Sequence, residues 1–153
     1  MKISELLNPG AVVADIQSRD KVKVLVELTD ALVACDDSLQ RDEVIQVLQE
    51  RERLGSTGIG DGVAIPHGKL KGIPELMLAF GRSRGGVDFD SMDGQPAHLF
   101  FLLIAPEESV GVHLKTLARI SKLLKDSVVR QRLLDAGDQM ELYQIILDEE
   151  DQA

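Results

Sequence analysis

Residues 99–104, Leu-Phe-Phe-Leu-Leu-Ile, are apolar at every position and show no alternation with polar residues. A strand with one exposed face alternates apolar and polar side chains, whereas a strand covered on both faces is apolar throughout. We therefore predict a central strand at residues 97–105, in the middle of a sheet. This segment constrains the fold more than any other, because both faces of such a sheet must be covered by other elements.

Helical and strand patterns alternate along the rest of the chain. Beyond one turn at 3–7, apolar periodicity predicts helices at about 18–33, 42–54, 113–124, 128–134 and 139–147, and strands at 11–13, 63–65, 76–81 and 87–89. Ser18 is the predicted N-cap of the first long helix, and an acidic tail at 148–151 follows the last one. The turn signal Asp93-Gly94 favours antiparallel pairing in the middle of the chain. Together these patterns predict one α/β domain, residues 1–153, with a mixed β-sheet flanked by helices.

Composition and charge exclude several kinds of partner. The chain carries 26 Asp and Glu against 17 Lys and Arg, and its net charge of -9 would repel a nucleic-acid backbone. No segment is apolar for long enough to predict direct membrane insertion. Cys35 is the single cysteine and cannot form an intrachain disulfide, and the N-terminus lacks a signal-peptide pattern. We therefore expect a cytoplasmic protein.

Unusual residues are concentrated between positions 50 and 69. Glycines occur there at 55, 58, 60 and 62, before the apolar segment Val-Ala-Ile-Pro that leads to His67. Glycine flexibility, free backbone amides and the hydroxyls of Ser56 and Thr57 suit a phosphoryl group or another oxyanion. Pro66 marks a strand end, so we expect His67 where the chain leaves the sheet. An imidazole there is a candidate nucleophile, because one nitrogen keeps a lone pair while a backbone carbonyl can hold the other N–H.

Other kinds of site fail on spacing. Five residues separate Gly62 from Gly68, whereas a P-loop requires four, and Leu70 stands where a P-loop Ser or Thr would bind magnesium. The segment 58–62 lacks the third glycine of a dinucleotide motif and follows a predicted helix instead of a strand. No Gly-x-Ser-x-Gly elbow occurs, and no two histidines have metal-ligand spacing. The sequence therefore predicts neither a cofactor nor a metal.

The two remaining histidines have different predicted roles. His98 lies at the entry of the central strand with no catalytic residue type around it, so a structural imidazole is expected. His113 lies at the predicted start of the helix that follows the central strand. The positive end of that helix could assist an anion held nearby.

The segment 51–69, Arg-Glu-Arg-Leu-Gly-Ser-Thr-Gly-Ile-Gly-Asp-Gly-Val-Ala-Ile-Pro-His-Gly-Lys, resembles enzyme IIA domains of the bacterial phosphoenolpyruvate-dependent phosphotransferase system. Within the fructose/mannitol superfamily it is closest to the stand-alone nitrogen-related branch. The resemblance extends to Val-Asp-Phe-Asp-Ser-Met-Asp-Gly-Gln-Pro at 87–96, to Ala105-Pro106 and to His-Leu-Lys-Thr-Leu-Ala at 113–118. It covers essentially the whole chain and implies a type-2 enzyme IIA domain.

The resemblance implies roles for five residues. His67 matches the acceptor of a phosphoryl group from a histidine phosphocarrier protein, His113 the second active-site histidine and Arg51 the phosphate-facing arginine. Ser56 and Thr57 are secondary candidates for phosphate contacts. The scheme needs no cofactor.

Two recipients of the phosphoryl group remain open. The protein could act mainly as a nitrogen-related regulator of target proteins, or it could pass the phosphoryl group to a separate fructose- or mannitol-type enzyme IIB. No IIB-like cysteine domain or membrane segment is fused to the sequence, which favours regulation. Basic residues on the predicted helices after His113 are either a docking surface or ordinary solvated helix faces. A module that binds anions without being phosphorylated is disfavoured by the combination of Arg51, His67 and His113.

Overall fold

A computed structural model describes residues 2–152 of the chain. Its helices are α1 (Ile3–Leu6), α2 (Lys21–Cys35), α3 (Arg41–Arg53), α4 (Val110–Lys125), α5 (Ser127–Asp135) and α6 (Gln139–Gln152). Its strands are β1 (Leu7–Val13), β2 (Gly58–Gly60), β3 (Val63–Ala64), β4 (His67–Leu70), β5 (Met77–Val87) and β6 (Ala97–Pro106). None of the helices within 2–152 has the length and apolar character needed to cross a membrane.

The six strands form one mixed sheet with β6 in its interior. The strand order is β1-β5-β6-β3-β2, and β4 pairs with β6 on the same side as β3. Strand β6 is antiparallel to β5 and parallel to β3 and β4, whereas β1 is parallel to β5. The predicted fold class, a mixed sheet flanked by helices, is confirmed.

Successive side chains of β6 enter two different cores. Leu99, Phe101 and Leu103 pack with the apolar faces of α4, α5 and α6 on one side of the sheet. Phe100 and Ile104 pack with α2 and α3 on the other side. All of these side chains are at most 1% exposed. As predicted, the segment lacks polar alternation because both of its faces are buried. A strand with two buried faces has no position for a solvated side chain.

The strand predictions need four corrections. Strand β1 begins at Leu7, four residues before the predicted segment 11–13. The segments 76–81 and 87–89 were expected as separate strands, but β5 runs continuously from Met77 to Val87, and an irregularity between Arg82 and Val87 absorbs the extra residues. Strand β2 lies within the glycine-rich segment, where no strand was expected. His67 does not leave the sheet: it is the first residue of β4, which pairs with β6.

The helix predictions need smaller corrections. Asp20, not Ser18, caps α2, since its carboxylate accepts the Lys23 backbone N–H at 2.9 Å, whereas the Ser18 hydroxyl donates to Glu27. Helix α4 begins at Val110, three residues before the predicted start. The acidic residues 148–151, expected as a tail, belong to α6.

A buried arginine joins the sheet to the α4–α6 layer. Arg82 on β5 has no exposed surface, and its guanidinium donates to the carbonyl oxygens of Ala14 at 3.0 Å, Leu133 at 2.9 Å and Ala136 at 2.5 Å. These carbonyls lie after β1 and at the C-terminal end of α5. The guanidinium therefore satisfies helix-end groups that would otherwise lack partners.

Candidate functional site

His67 is positioned by a break between two short strands. Pro66 separates β3 from β4 and has no backbone N–H to donate to a ladder. Immediately after it, His67 pairs in parallel with Leu103 of β6. The next residue, Gly68, faces α3, because a Cβ there would lie 3.0 Å from a Val47 methyl group. Side chains alternate along a strand, so the His67 ring lies on the opposite face, toward α4.

A backbone carbonyl defines the tautomer of His67. The ring atom Nδ1 lies 2.7 Å from the carbonyl oxygen of Ile65. A carbonyl oxygen can only accept a hydrogen bond, so Nδ1 carries the proton. In the neutral ring, Nε2 therefore keeps its lone pair.

His113 lies beside His67. The centroids of the two rings are 5.5 Å apart, and the ring planes are inclined by 55°. His113 is the fourth residue of α4, and its own backbone N–H is bonded to the Ser109 carbonyl at 3.1 Å. His113 as a residue is 6% exposed, and its ring atom Nδ1 has no hydrogen-bond partner among residues 2–152. A buried polar atom of this kind is available to a group that enters the site.

Arg51 approaches from the other layer. It lies in the last turn of α3, and the absence of a side chain at Gly68 allows that helix to lie close to β4. Arg51 is half-buried as a residue, and its guanidinium donates to the Gly55 carbonyl at 2.8 Å. Its positive charge acts on the His67 ring, so Arg51 and His113 influence His67 from the two helical layers on opposite sides of the sheet.

Ser56 and Thr57 hold the loop before His67. The Ser56 hydroxyl donates to the Phe89 carbonyl at 2.5 Å and accepts the Gly58 backbone N–H at 2.9 Å. The buried Thr57 hydroxyl donates to the Glu52 carboxylate. Both hydroxyl protons are therefore engaged within the protein, and phosphate contacts by these residues stay a prediction.

The surroundings of the two rings favour their neutral forms. Burial lowers the pKa of His67, and the positive charge of Arg51 lowers it further, whereas the Ile65 carbonyl and the charge of Glu52 act in the opposite direction. Burial also lowers the pKa of His113, with smaller contributions in the same direction from His67 and Lys69. Neutral rings retain nucleophilic and accepting nitrogen atoms at neutral pH.

The structure places the other sequence candidates as follows. His98 is half-buried, and its Nδ1 donates to the Ser83 carbonyl at 2.9 Å, which is the structural role expected for it. Cys35 ends α2 and is partly buried. Within 2–152, no three His, Cys, Asp or Glu side chains are grouped so that they could hold a metal ion.

Sequence reasoning missed two charged residues near His67. No role was predicted for Glu52, but its side chain is 7% exposed and pairs with Lys21 at 2.8 Å. Lys69 contributes to the electrostatics of His113. The position of Lys69 directly after Pro-His-Gly could have indicated that it lies near the site. No local sequence pattern links Glu52 to Lys21.

The open mixed sheet brings two histidines together: His67 lies on β4 beside the central strand β6, and His113 lies on the helix that follows β6. The fold and the site therefore define a two-histidine α/β domain. The model of one family, described as "Phosphoenolpyruvate-dependent sugar phosphotransferase system, EIIA 2", matches residues 5–149. The chain belongs to this family, as the resemblance of its motifs predicted.

The curated relatives carry two kinds of name. A nitrogen regulatory protein of Bradyrhizobium diazoefficiens is 40% identical over 146 residues, which are 95% of each chain. The fructose-specific EIIABC component of the Bacillus subtilis phosphotransferase system is also 40% identical over 146 residues, but the chain spans only 23% of its length. The crystal structure of nitrogen regulatory protein IIA-Ntr from Neisseria meningitidis has a TM-score of 0.88 and 35% identity, covering 94% of this chain and 98% of that chain. The predicted similarity to the nitrogen-related branch is confirmed.

Replacing Arg51 with Met should raise the pKa of His67, because it removes a positive charge that disfavours the protonated ring and keeps most of the apolar stem. The measurement is a titration of the His67 ring resonances by NMR. Arg53→Met is the matched control: Arg53 is exposed in the same helical turn, and its loss should leave the titration unchanged. An identical His67 pKa in Arg51→Met and the wild type would contradict an electrostatic role for Arg51.

Proposed function

We propose that the protein is a phosphoryl carrier that accepts a phosphoryl group on Nε2 of His67 from a histidine phosphocarrier protein and acts mainly as a regulatory component. The observation that carries this proposal is the hydrogen bond from Nδ1 of His67 to the Ile65 carbonyl. It directs the lone pair to Nε2 in a ring that lies beside a second, buried histidine. The acceptor is therefore oriented before the donor arrives.

The transfer itself exchanges one P–N bond for another. The bond between phosphorus and the donor imidazole breaks, and its electron pair stays on the donor nitrogen. The lone pair on Nε2 of His67 forms the new bond, which leaves positive charge on the His67 ring. The Ile65 carbonyl stabilises this charge, because it accepts a hydrogen bond from Nδ1–H and favours the cationic ring.

The phosphoryl oxygens carry most of the charge in the loose transition state, so the site must mainly align and neutralise. His113 supplies an imidazole N–H at the N-terminal end of α4, where the helix also contributes positive potential. Arg51 adds a permanent positive charge from the end of α3. Both groups act on the oxygens without forming a covalent bond.

Replacing His67 with Ala should abolish phosphorylation by a phosphorylated histidine carrier, because the nucleophile is lost. The measurement is incorporation of a phosphate that is labile in acid and stable in base, as expected of phosphohistidine. His98→Asn is the control: the amide can still donate to the Ser83 carbonyl, and labelling should persist. Persistent labelling of His67→Ala would place the acceptor elsewhere.

His113→Ala should still accept the phosphoryl group, but roughly 100-fold more slowly, the scale of losing one transition-state hydrogen-bond donor. Single-turnover transfer kinetics measure this rate. His113→Gln keeps an amide donor on a side chain of similar reach and should lie between His113→Ala and the wild type. An unchanged rate in His113→Ala would remove His113 from the mechanism.

The surface at the start of α4 suits a protein partner in either candidate role. Val110, Val112 and Leu114 are 52%, 41% and 60% exposed around the buried His113. A partner on these apolar side chains would lie close to His67, where phosphorylation adds about two negative charges. Binding can therefore depend on the phosphorylation state without a large conformational change.

The second candidate function is sugar transport, in which a separate enzyme IIB takes the phosphoryl group. The fructose-specific name of the Bacillus subtilis relative favours it, whereas the nitrogen regulatory protein from Bradyrhizobium diazoefficiens, 95% covered by the match, favours regulation. Adding an isolated fructose- or mannitol-type IIB domain to the phosphorylated protein distinguishes them. Regulation predicts that the phosphate stays on His67, and rapid transfer to the IIB cysteine would instead support transport.

A further inference from the structure

A largely buried ion pair lies behind the loop that leads to His67. Lys21, the first residue of α2, places Nζ 2.8 Å from the carboxylate of Glu52 in the last turn of α3. The two side chains are 21% and 7% exposed. In every other ion pair within the described residues, at least one side chain is more than 40% exposed. This pair is thus unlike the solvated pairs of the rest of the surface.

The Glu52 carboxylate is the start of a continuous set of hydrogen bonds that ends at the His67 ring. It accepts the backbone N–H of Thr57 at 3.2 Å and also the Thr57 hydroxyl. The carbonyl of Thr57 accepts the Ile65 backbone N–H at 3.0 Å. The carbonyl of Ile65 accepts Nδ1–H of His67 at 2.7 Å. Each of these residues therefore fixes the next.

We infer that the Lys21–Glu52 ion pair is a positioning device for His67, which it holds in the Nδ1–H form through Thr57 and Ile65. Glu52 and Thr57 do not touch the phosphoryl group in this account; they orient the carbonyl that selects the nucleophilic nitrogen. That the oriented ring accepts a phosphoryl group rests on the proposed function. The orientation of the ring by Glu52 and Thr57 does not rest on it.

Energetic considerations favour this assignment. Burying two charges is costly, and in some proteins such buried groups serve to specify one particular arrangement. The successive bonds are joined through the backbone of Thr57 and of Ile65, so the carboxylate acts by fixing the position of each residue in turn. The negative charge of Glu52 also raises the pKa of His67, although burial keeps that pKa below its ordinary value. The carboxylate thus favours a cationic ring, the state in which phosphoryl transfer leaves His67.

A second anchor holds the same loop from the side of Phe89. The Ser56 hydroxyl donates to the Phe89 carbonyl at 2.5 Å, and Nζ of Lys21 lies 5.0 Å from the centroid of the Phe89 ring. Lys21 therefore contacts both Glu52 and Phe89. Glu52 accepts hydrogen bonds from Thr57, and Phe89 accepts one from the preceding residue, Ser56. The loop is consequently fixed at two adjacent positions before the chain enters β2.

The test replaces Glu52 with Gln, which keeps the shape of the side chain but removes its charge. Nitrogen-15 chemical shifts of the His67 ring report the tautomer directly in the unphosphorylated protein. The wild type should be in the Nδ1–H form, and Glu52→Gln should contain a substantial fraction of the Nε2–H form and accept the phosphoryl group on the order of tenfold more slowly. Glu50→Gln removes the same charge from an exposed position on the same helix and should match the wild type.

Thr57 provides a second test that does not alter the ion pair. Thr57→Val removes the hydroxyl bond to Glu52 and should shift the tautomer in the same direction, whereas Thr57→Ser restores the hydroxyl and should restore the wild-type shifts. These two variants decide the question if Glu52→Gln does not give the dispersed amide spectrum of a folded protein.

Wild-type tautomer and rate in folded Glu52→Gln would overturn the inference, as would an equal effect in Glu50→Gln. If Glu52→Gln is unfolded, wild-type shifts in Thr57→Val would overturn it. A wild-type protein that accepts no phosphoryl group, but whose His67 tautomer still depends on Glu52, would refute the proposed function and leave the positioning role intact.

Discussion

The structure depends on one strand with two buried faces. Alternate residues of β6 enter two separate cores, and its two edges pair with β5 on one side and with β3 and β4 on the other. Because β4 is bound to β6 in parallel, His67 has a fixed position relative to the end of β6. Helix α4 follows that end directly and carries His113. The burial of β6 therefore determines the position of the paired histidines as well as the core.

The two helical layers contribute different chemistry to the same place. From the α4 side comes the buried imidazole of His113, and from the α3 side come Arg51 with its permanent charge and Glu52 with its buried carboxylate. Strand β4 lies between the two helical layers, so groups from both layers can act on the side chain of His67. Opposite charges on successive residues of α3 have opposite effects on the pKa of His67, and burial decides the net direction.

The parts of this arrangement that were predictable from the sequence are those with a strong local pattern. An apolar segment of six residues identified β6, and the segment from Arg51 to Lys69 identified the candidate site. The strands β2 and β4 have 3 and 4 residues, too few for period-2 alternation to be visible, so the position of His67 inside the sheet was missed. The pairing of Lys21 with Glu52 joins two helices, and no local pattern encodes such a contact. Ser18 was predicted as the cap of α2, whereas Asp20 is the observed cap. Both are good N-cap residue types, and only the backbone geometry separates them.

In the proposed phosphoryl carrier, the hydrogen bond between Nδ1 of His67 and the Ile65 carbonyl selects Nε2 as the acceptor. The most direct measurement is NMR of the protein phosphorylated on its acceptor, with phosphorus-31 and nitrogen-15 couplings that identify the bonded nitrogen. We expect phosphorus on Nε2 of His67, with the proton retained on Nδ1. Phosphorus on Nδ1, or on any other side chain, would contradict it.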